Sequence, residues 1–134
     1  MATHQQFTQD WWDHERVRYR LYSSLAVRAE MSKGDASAAS RRLAVIVGIP
    51  ELPLLPEIEP LADSLCQLLC LPAKATLDAT HLAYAIAHRF DYLLTWNCTH
   101  LANASLQKTL FEYCLYHHLH MPVFCTPELL KPLP

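Results

Sequence analysis

The run Leu77-Asp78-Ala79-Thr80-His81-Leu82-Ala83-Tyr84-Ala85-Ile86-Ala87-His88-Arg89-Phe90-Asp91-Tyr92-Leu93-Leu94-Thr95-Trp96-Asn97 changes character twice. Leu82, Ala83, Ile86 and Ala87 recur at helical spacing, and Thr76 just ahead of them is a residue type that caps helices, so a helix is expected from Thr76 to about Arg89. Asp91-Tyr92-Leu93-Leu94-Thr95 follows at once as a short buried strand that opens into a polar loop. A helix feeding a buried strand is the unit from which parallel sheets are built.

The same alternation extends in both directions. Phe7, Trp11 and Trp12 predict an amphipathic helix from Gln5 to about Arg16, and Arg16-Val17-Arg18-Tyr19-Arg20-Leu21-Tyr22 alternates cationic and apolar residues as a half-buried strand does. Ser23 or Ser24 can cap the next helix, which carries Glu30 and which Gly34 is placed to end. A helix from about Ala36 to Val47 stops at Gly48. Pro50, Pro53, Pro56 and Pro60 then punctuate a connector in which Leu52, Leu54 and Leu55 can form a short strand. Helices are expected over Ile58 to Leu71 and Ala104 to Tyr116, a strand at Val123-Phe124-Cys125, and a short helical tail after Pro127. The fold class is therefore α/β with a central parallel sheet covered on both faces.

The chain has 134 residues, 51% of them hydrophobic and 18% charged, enough for one domain with its own core over 1–134 and too few for two. A formal charge of −2 argues against a strongly electrostatic nucleic-acid binder but leaves room for a local basic face. The first residues have neither a basic nor an apolar leader segment, and no apolar run is long enough for a bilayer, so no membrane association and a cytosolic location are expected. Five cysteines, an odd number, fit reduced thiols better than a disulfide framework.

Asp78 and His81 lie three residues apart and so project from one face near the start of their helix. A carboxylate in a first turn is also what the helix dipole favours, so Asp78 alone reads equally as capping. The following strand raises the functional reading, because ligands in open α/β sheets sit beyond the carboxyl ends of the strands, where Thr95, Trp96 and Asn97 fall. An Asp and an amide oxygen are hard donors suited to Mg²⁺ or Mn²⁺, and Glu30 can supply a further carboxylate.

These residues resemble a known family. The run from Leu77 to Ala85, continued by Asp91 to Ala104, looks like the carboxyl half of a PIN domain, closest to the type II toxin-antitoxin toxins of the VapC kind. Leu21-Tyr22-Ser23-Ser24 through Glu30, and Thr126-Pro127-Glu128-Leu129-Leu130, look like the same branch. The resemblance implies a three-layer α/β/α domain that acts as a divalent-metal-dependent endoribonuclease, with RNA as substrate and an antitoxin protein as partner. It assigns Glu30, Asp78 and Asn97 as metal-binding catalytic residues, with His81 and Thr95 in support. It also implies an apolar strand ending in Asp ahead of the helix near Gln5. The sequence shows neither, and two expectations follow: a strand encoded upstream of a misplaced start, which makes this a piece of a nuclease, or a truncation, which leaves an inactive remnant that binds a protein or dimerises. Asp10 and Asp13 lie on the helix beyond that point and do not replace the missing ligand.

Other groupings have plainer readings. Arg16, Arg18 and Arg20, with Arg41 and Arg42, can form a cationic stripe for RNA phosphates or simply a solvated face. Cys114, His117, His118 and His120 are zinc-ligand types whose spacing matches no standard finger. Cys66 and Cys70 read as core thiols. Phe7, Trp11 and Trp12 read as packing residues.

Overall fold

The computed structural model describes residues 4–94, 101 and 103–130, apart from the side chains of 4, 5, 7, 127 and 128. Helix α1 (His4–Asp10) runs into a π-helical turn over Trp11–Glu15 and a 3-10 turn over Arg16–Arg18. The expected amphipathic helix is thus present, with its winding altered around the tryptophans. The expected strand over 16–22 is not formed. Val17 is 80% exposed, so the alternation has no buried face at its start. Tyr19 and Leu21 pack with the buried Trp11, whose ring stacks on that of Tyr19 at 5.9 Å, while the exposed Tyr22 sets its ring edge-on to Phe90 at 5.2 Å.

Backbone pairing in this region is confined to one parallel bridge, Ser23 to Glu51. Ser23 N donates to Pro50 O at 2.8 Å, and Leu52 N donates to Ser23 O at 2.7 Å. The strand expected around Leu52, Leu54 and Leu55 reduces to this bridge, because Pro50, Pro53 and Pro56 remove the N–H donors that a longer ladder requires.

Helix α2 (Leu25–Met31) starts where Ser24 Oγ accepts from Val27 N at 3.2 Å. It ends before Gly34, which at φ 84° makes the turn into α3 rather than the helix terminus itself. Helix α3 (Ala36–Val45) is capped by Asp35, whose Oδ2 accepts from Ala38 N at 2.9 Å. Helix α4 (Ile58–Leu68) holds Pro60 in its first turn, where the missing N–H has no acceptor within the helix to lose.

Helix α5 (Thr76–Ala87) follows a 3-10 turn at Ala73–Ala75. Thr76 is not its cap: the hydroxyl donates to Ala73 O at 2.7 Å and closes the preceding turn. Ala79, Leu82, Ala83 and Ala85 are fully buried, which makes α5 the centre of the main core, and Ile58 and Leu65 of α4 pack against it. Small alanines on α5 let its neighbours approach closely.

Strand β1 (Tyr92–Leu94), helix α6 (Ala104–Tyr116) and strand β2 (Val123–Cys125) complete the order, with a 3-10 turn at Pro127–Leu130. The strands are parallel, with Tyr92 opposite Val123, Leu93 opposite Phe124 and Leu94 opposite Cys125. Helix α6 supplies the crossover that parallel pairing needs. Among the described residues the chain is thus mixed α/β, six helices with one two-stranded parallel sheet. No described helix is long and apolar enough to cross a membrane.

Candidate functional site

The helical expectation for Asp78 and His81 holds: both lie in the first half of α5, Asp78 half-buried and His81 with its side chain 13% exposed. Glu30 comes from the last turn of α2. The Ser24 cap fixes the start of that short helix, and Ser32 N closes its end by donating to Arg28 O at 3.0 Å. Packing of α2 on α5 carries Glu30 across 51 positions of sequence to His81, where Glu30 Oε2 and His81 Nε2 stand 2.6 Å apart.

This contact shapes the charge at the site. The imidazole hydrogen bond favours the ionised carboxyl and holds Glu30 below the ordinary glutamate value; partial burial opposes the shift, and the charges of His81 and Lys33 reinforce it. Glu30 is therefore a carboxylate at neutral pH. Its side chain stays 48% exposed, so it remains open to a ligand.

Glu30, Asp78 and His81 line one cavity of about 350 Å³, together with Val27, Met31, Arg42, Leu93, Leu94 and Leu101. Its apolar wall is the end of β1 and Leu101, which is 2% exposed. Gln107 Nε2 donates to Leu101 O at 3.0 Å, and Asn103 Oδ1 accepts from Leu106 N at 3.1 Å, so the start of α6 anchors that side. The acids thus sit on the helical side of a pocket floored by the strand. A larger groove of about 460 Å³ between α6 and β2 is lined by Phe111, Leu115 and Val123 among others and contains no carboxylate.

Two carboxylates on one wall are hard oxygen donors of the kind Mg²⁺ and Mn²⁺ take, with water filling much of the shell. Among the described residues, no group of three or more His, Cys, Asp or Glu side chains is placed to hold a metal ion. The expected third ligand, Asn97, and its neighbour Thr95 lie outside the described residues. Cys114, His117, His118 and His120 do not form a metal group either. Cys114 is buried on α6, while His120 Nε2 faces Asp91 at 3.8 Å.

The strand that would align Arg16, Arg18 and Arg20 either as a cationic stripe or as a solvated face is not formed. A 3-10 turn, unlike a strand, does not set alternate residues on one face. Arg16 instead lies 4.4 Å over the Trp12 ring, Arg18 pairs with Glu15 at 3.2 Å, and Arg20 is exposed. Of the cysteines read as core thiols, Cys66 is half-buried and Cys70 is exposed, because the helix ends before it. Arg42, grouped in the sequence with Arg16, Arg18 and Arg20, is the arginine among the described residues that reaches the acid cavity. No local spacing marks it for that place, since α2 and α3 meet only in the tertiary fold.

The chain matches no family model, no curated protein and no solved structure.

Proposed function

We propose that this chain is a PIN-like endoribonuclease of toxin type in which Glu30 and Asp78, with Asn97, hold Mg²⁺ or Mn²⁺ at the cavity between α2, α5 and β1. The observation that supports the reading is the contact of Glu30 with His81 on a cavity that Asp78 also lines, residues that the resemblance assigns to one site and that come from two separate helices. A bound divalent ion would supply charge to offset that developing on a phosphodiester and would acidify an attacking water. Asp78 and Glu30 bring the negative charge that holds such an ion. His81 fixes the Glu30 carboxyl through its 2.6 Å contact and is a positioning residue. Leu93, Leu94 and Leu101 make the opposite wall apolar. The three-layer α/β/α arrangement, a cytoplasmic location and an antitoxin protein or a second copy as partner belong to the same reading.

The competing reading, an inactive PIN-like module that works by protein binding, draws on a specific observation: His81 already occupies one oxygen of Glu30. Cleavage of single-stranded RNA in Mn²⁺ separates the two. The nuclease reading expects activity that falls at least about 100-fold in Asp78→Ala and Glu30→Gln, with both variants still folded by circular dichroism. Activity unchanged in Asp78→Ala, or folded protein that binds no Mn²⁺ by calorimetry, would sink it in favour of the module.

A further inference from the structure

The acid cavity also has a cationic wall. Among the described residues that line it, Arg42, on α3, is the only arginine or lysine. Its guanidinium is held in place: Nε donates to Met31 O at 3.2 Å, and Nη2 donates to Lys33 O. Both acceptors are carbonyls at the end of α2, just past Glu30. Among the described residues these two bonds are the polar contacts of Arg42, and a guanidinium carries further N–H donors in the same plane. Arg42 is therefore an anchored cation on a cavity that two carboxylates also line, with donors remaining.

We infer that Arg42 is the phosphate-binding residue of this cavity and takes a backbone phosphate of single-stranded RNA. The inference rests on the ribonuclease reading for the identity of the ligand and goes beyond it in naming the group that recognises it. Three properties point the same way. The planar fork of arginine matches phosphate oxygens and keeps its charge at any physiological pH. Two carbonyl bonds fix the side chain before the ligand arrives, so little rotamer freedom remains to be lost on binding. A phosphate drawn to Arg42 also enters the cavity that Glu30 and Asp78 line, where a carboxylate pair alone would repel it.

The neighbouring Arg41 is the internal control. It bonds Ser37 Oγ at 3.1 Å on the same helix, is exposed as Arg42 is, and does not line the cavity. Loss of either arginine removes one charge, but only loss of Arg42 removes the phosphate contact.

The test is binding of a fluorescein-labelled, mixed-sequence single-stranded RNA oligonucleotide by polarisation, in EDTA so that no cleavage occurs, across a salt series. Arg42→Ala is expected to weaken binding at least about tenfold and to lower the salt slope by about one, while Arg41→Ala changes the affinity less than about twofold. Arg42→Gln keeps an N–H donor for the α2 carbonyls and removes the charge. It should bind as poorly as Arg42→Ala and gives the result if the alanine variant does not fold. Equal effects of the Arg41 and Arg42 substitutions, or a folded Arg42→Gln protein that binds RNA like the parent, overturn the inference. So does failure of the parent protein to bind RNA. Parent protein that binds RNA through Arg42 yet does not cleave it in Mn²⁺ upholds the inference and rejects the nuclease.

Discussion

Glu30 shows how one side chain ties stability to the site. Its carboxyl lies below the ordinary glutamate value chiefly because His81 hydrogen-bonds the charged form. In the unfolded chain that bond is absent and the carboxyl titrates at the ordinary value. The folded state therefore gains from the ionised group above that ordinary value, and the gain is lost as pH falls through the lowered folded value. Because the Glu30 side chain is 48% exposed, solvent screening keeps the gain within about 1 kcal/mol. Thermal melts of the parent and Glu30→Gln between about pH 7 and about pH 3 should show a stability difference at neutral pH that shrinks toward zero in acid. A difference that stays constant across the range would place its origin in packing.

Three helices end in the same way at the scale of the element. Cys70, Arg89 and His118, just past α4, α5 and α6, take φ of 51°, 57° and 56°, the left-handed conformation that side chains disfavour. Each is followed by the backbone bond that closes such a terminus: Leu71 N to Cys66 O at 3.1 Å, Phe90 N to Ala85 O at 2.8 Å and Leu119 N to Cys114 O at 2.8 Å. The sequence has only two glycines, and neither stands at these ends. His118→Gly, at an exposed position, should therefore stabilise the protein by about 0.5–1 kcal/mol, read as a higher midpoint in thermal or urea unfolding. A lower midpoint would show that the His118 side chain contributes more than its backbone strain costs.

Two apolar clusters divide the whole molecule. The larger one joins α4, α5 and α6 around Leu65, Leu82 and Leu110. The smaller one joins Trp11, Cys125 and Leu130 with Trp12, Tyr19 and Leu21, so residues from the start of the chain close over β2 and the last turn. Tyr19 Oη donates to Leu130 O at 3.0 Å across 111 positions. Trp11→Ala should cost about 3–5 kcal/mol, and hydrogen exchange should speed up in 4–23 and 123–130 before it does in α4 and α5. Uniformly faster exchange would mean that the two clusters unfold as one unit.

What the sequence determined by itself was local. Helical spacing located α4, α5 and α6, short apolar runs placed β1 and β2, although β1 is exposed at Tyr92 and Leu94 rather than buried, and Ser24 marked the start of α2, because each depends on interactions within a few residues. Expectations failed where local signals needed a distant partner. The alternating run at 16–22 found no strand to pair with beyond Ser23 and Glu51, and Thr76 turned its hydroxyl backward to Ala73. At the site, the spacing of Asp78 and His81 on α5 was legible, whereas Glu30 was a candidate further carboxylate that no spacing tied to them. The tertiary structure alone decided that Glu30 meets His81 and that Arg42 lines the same cavity. Those contacts join α2, α3 and α5, whose packing comes from burial of apolar surface, and the hydrophobic effect is non-directional, leaving no motif in any one segment.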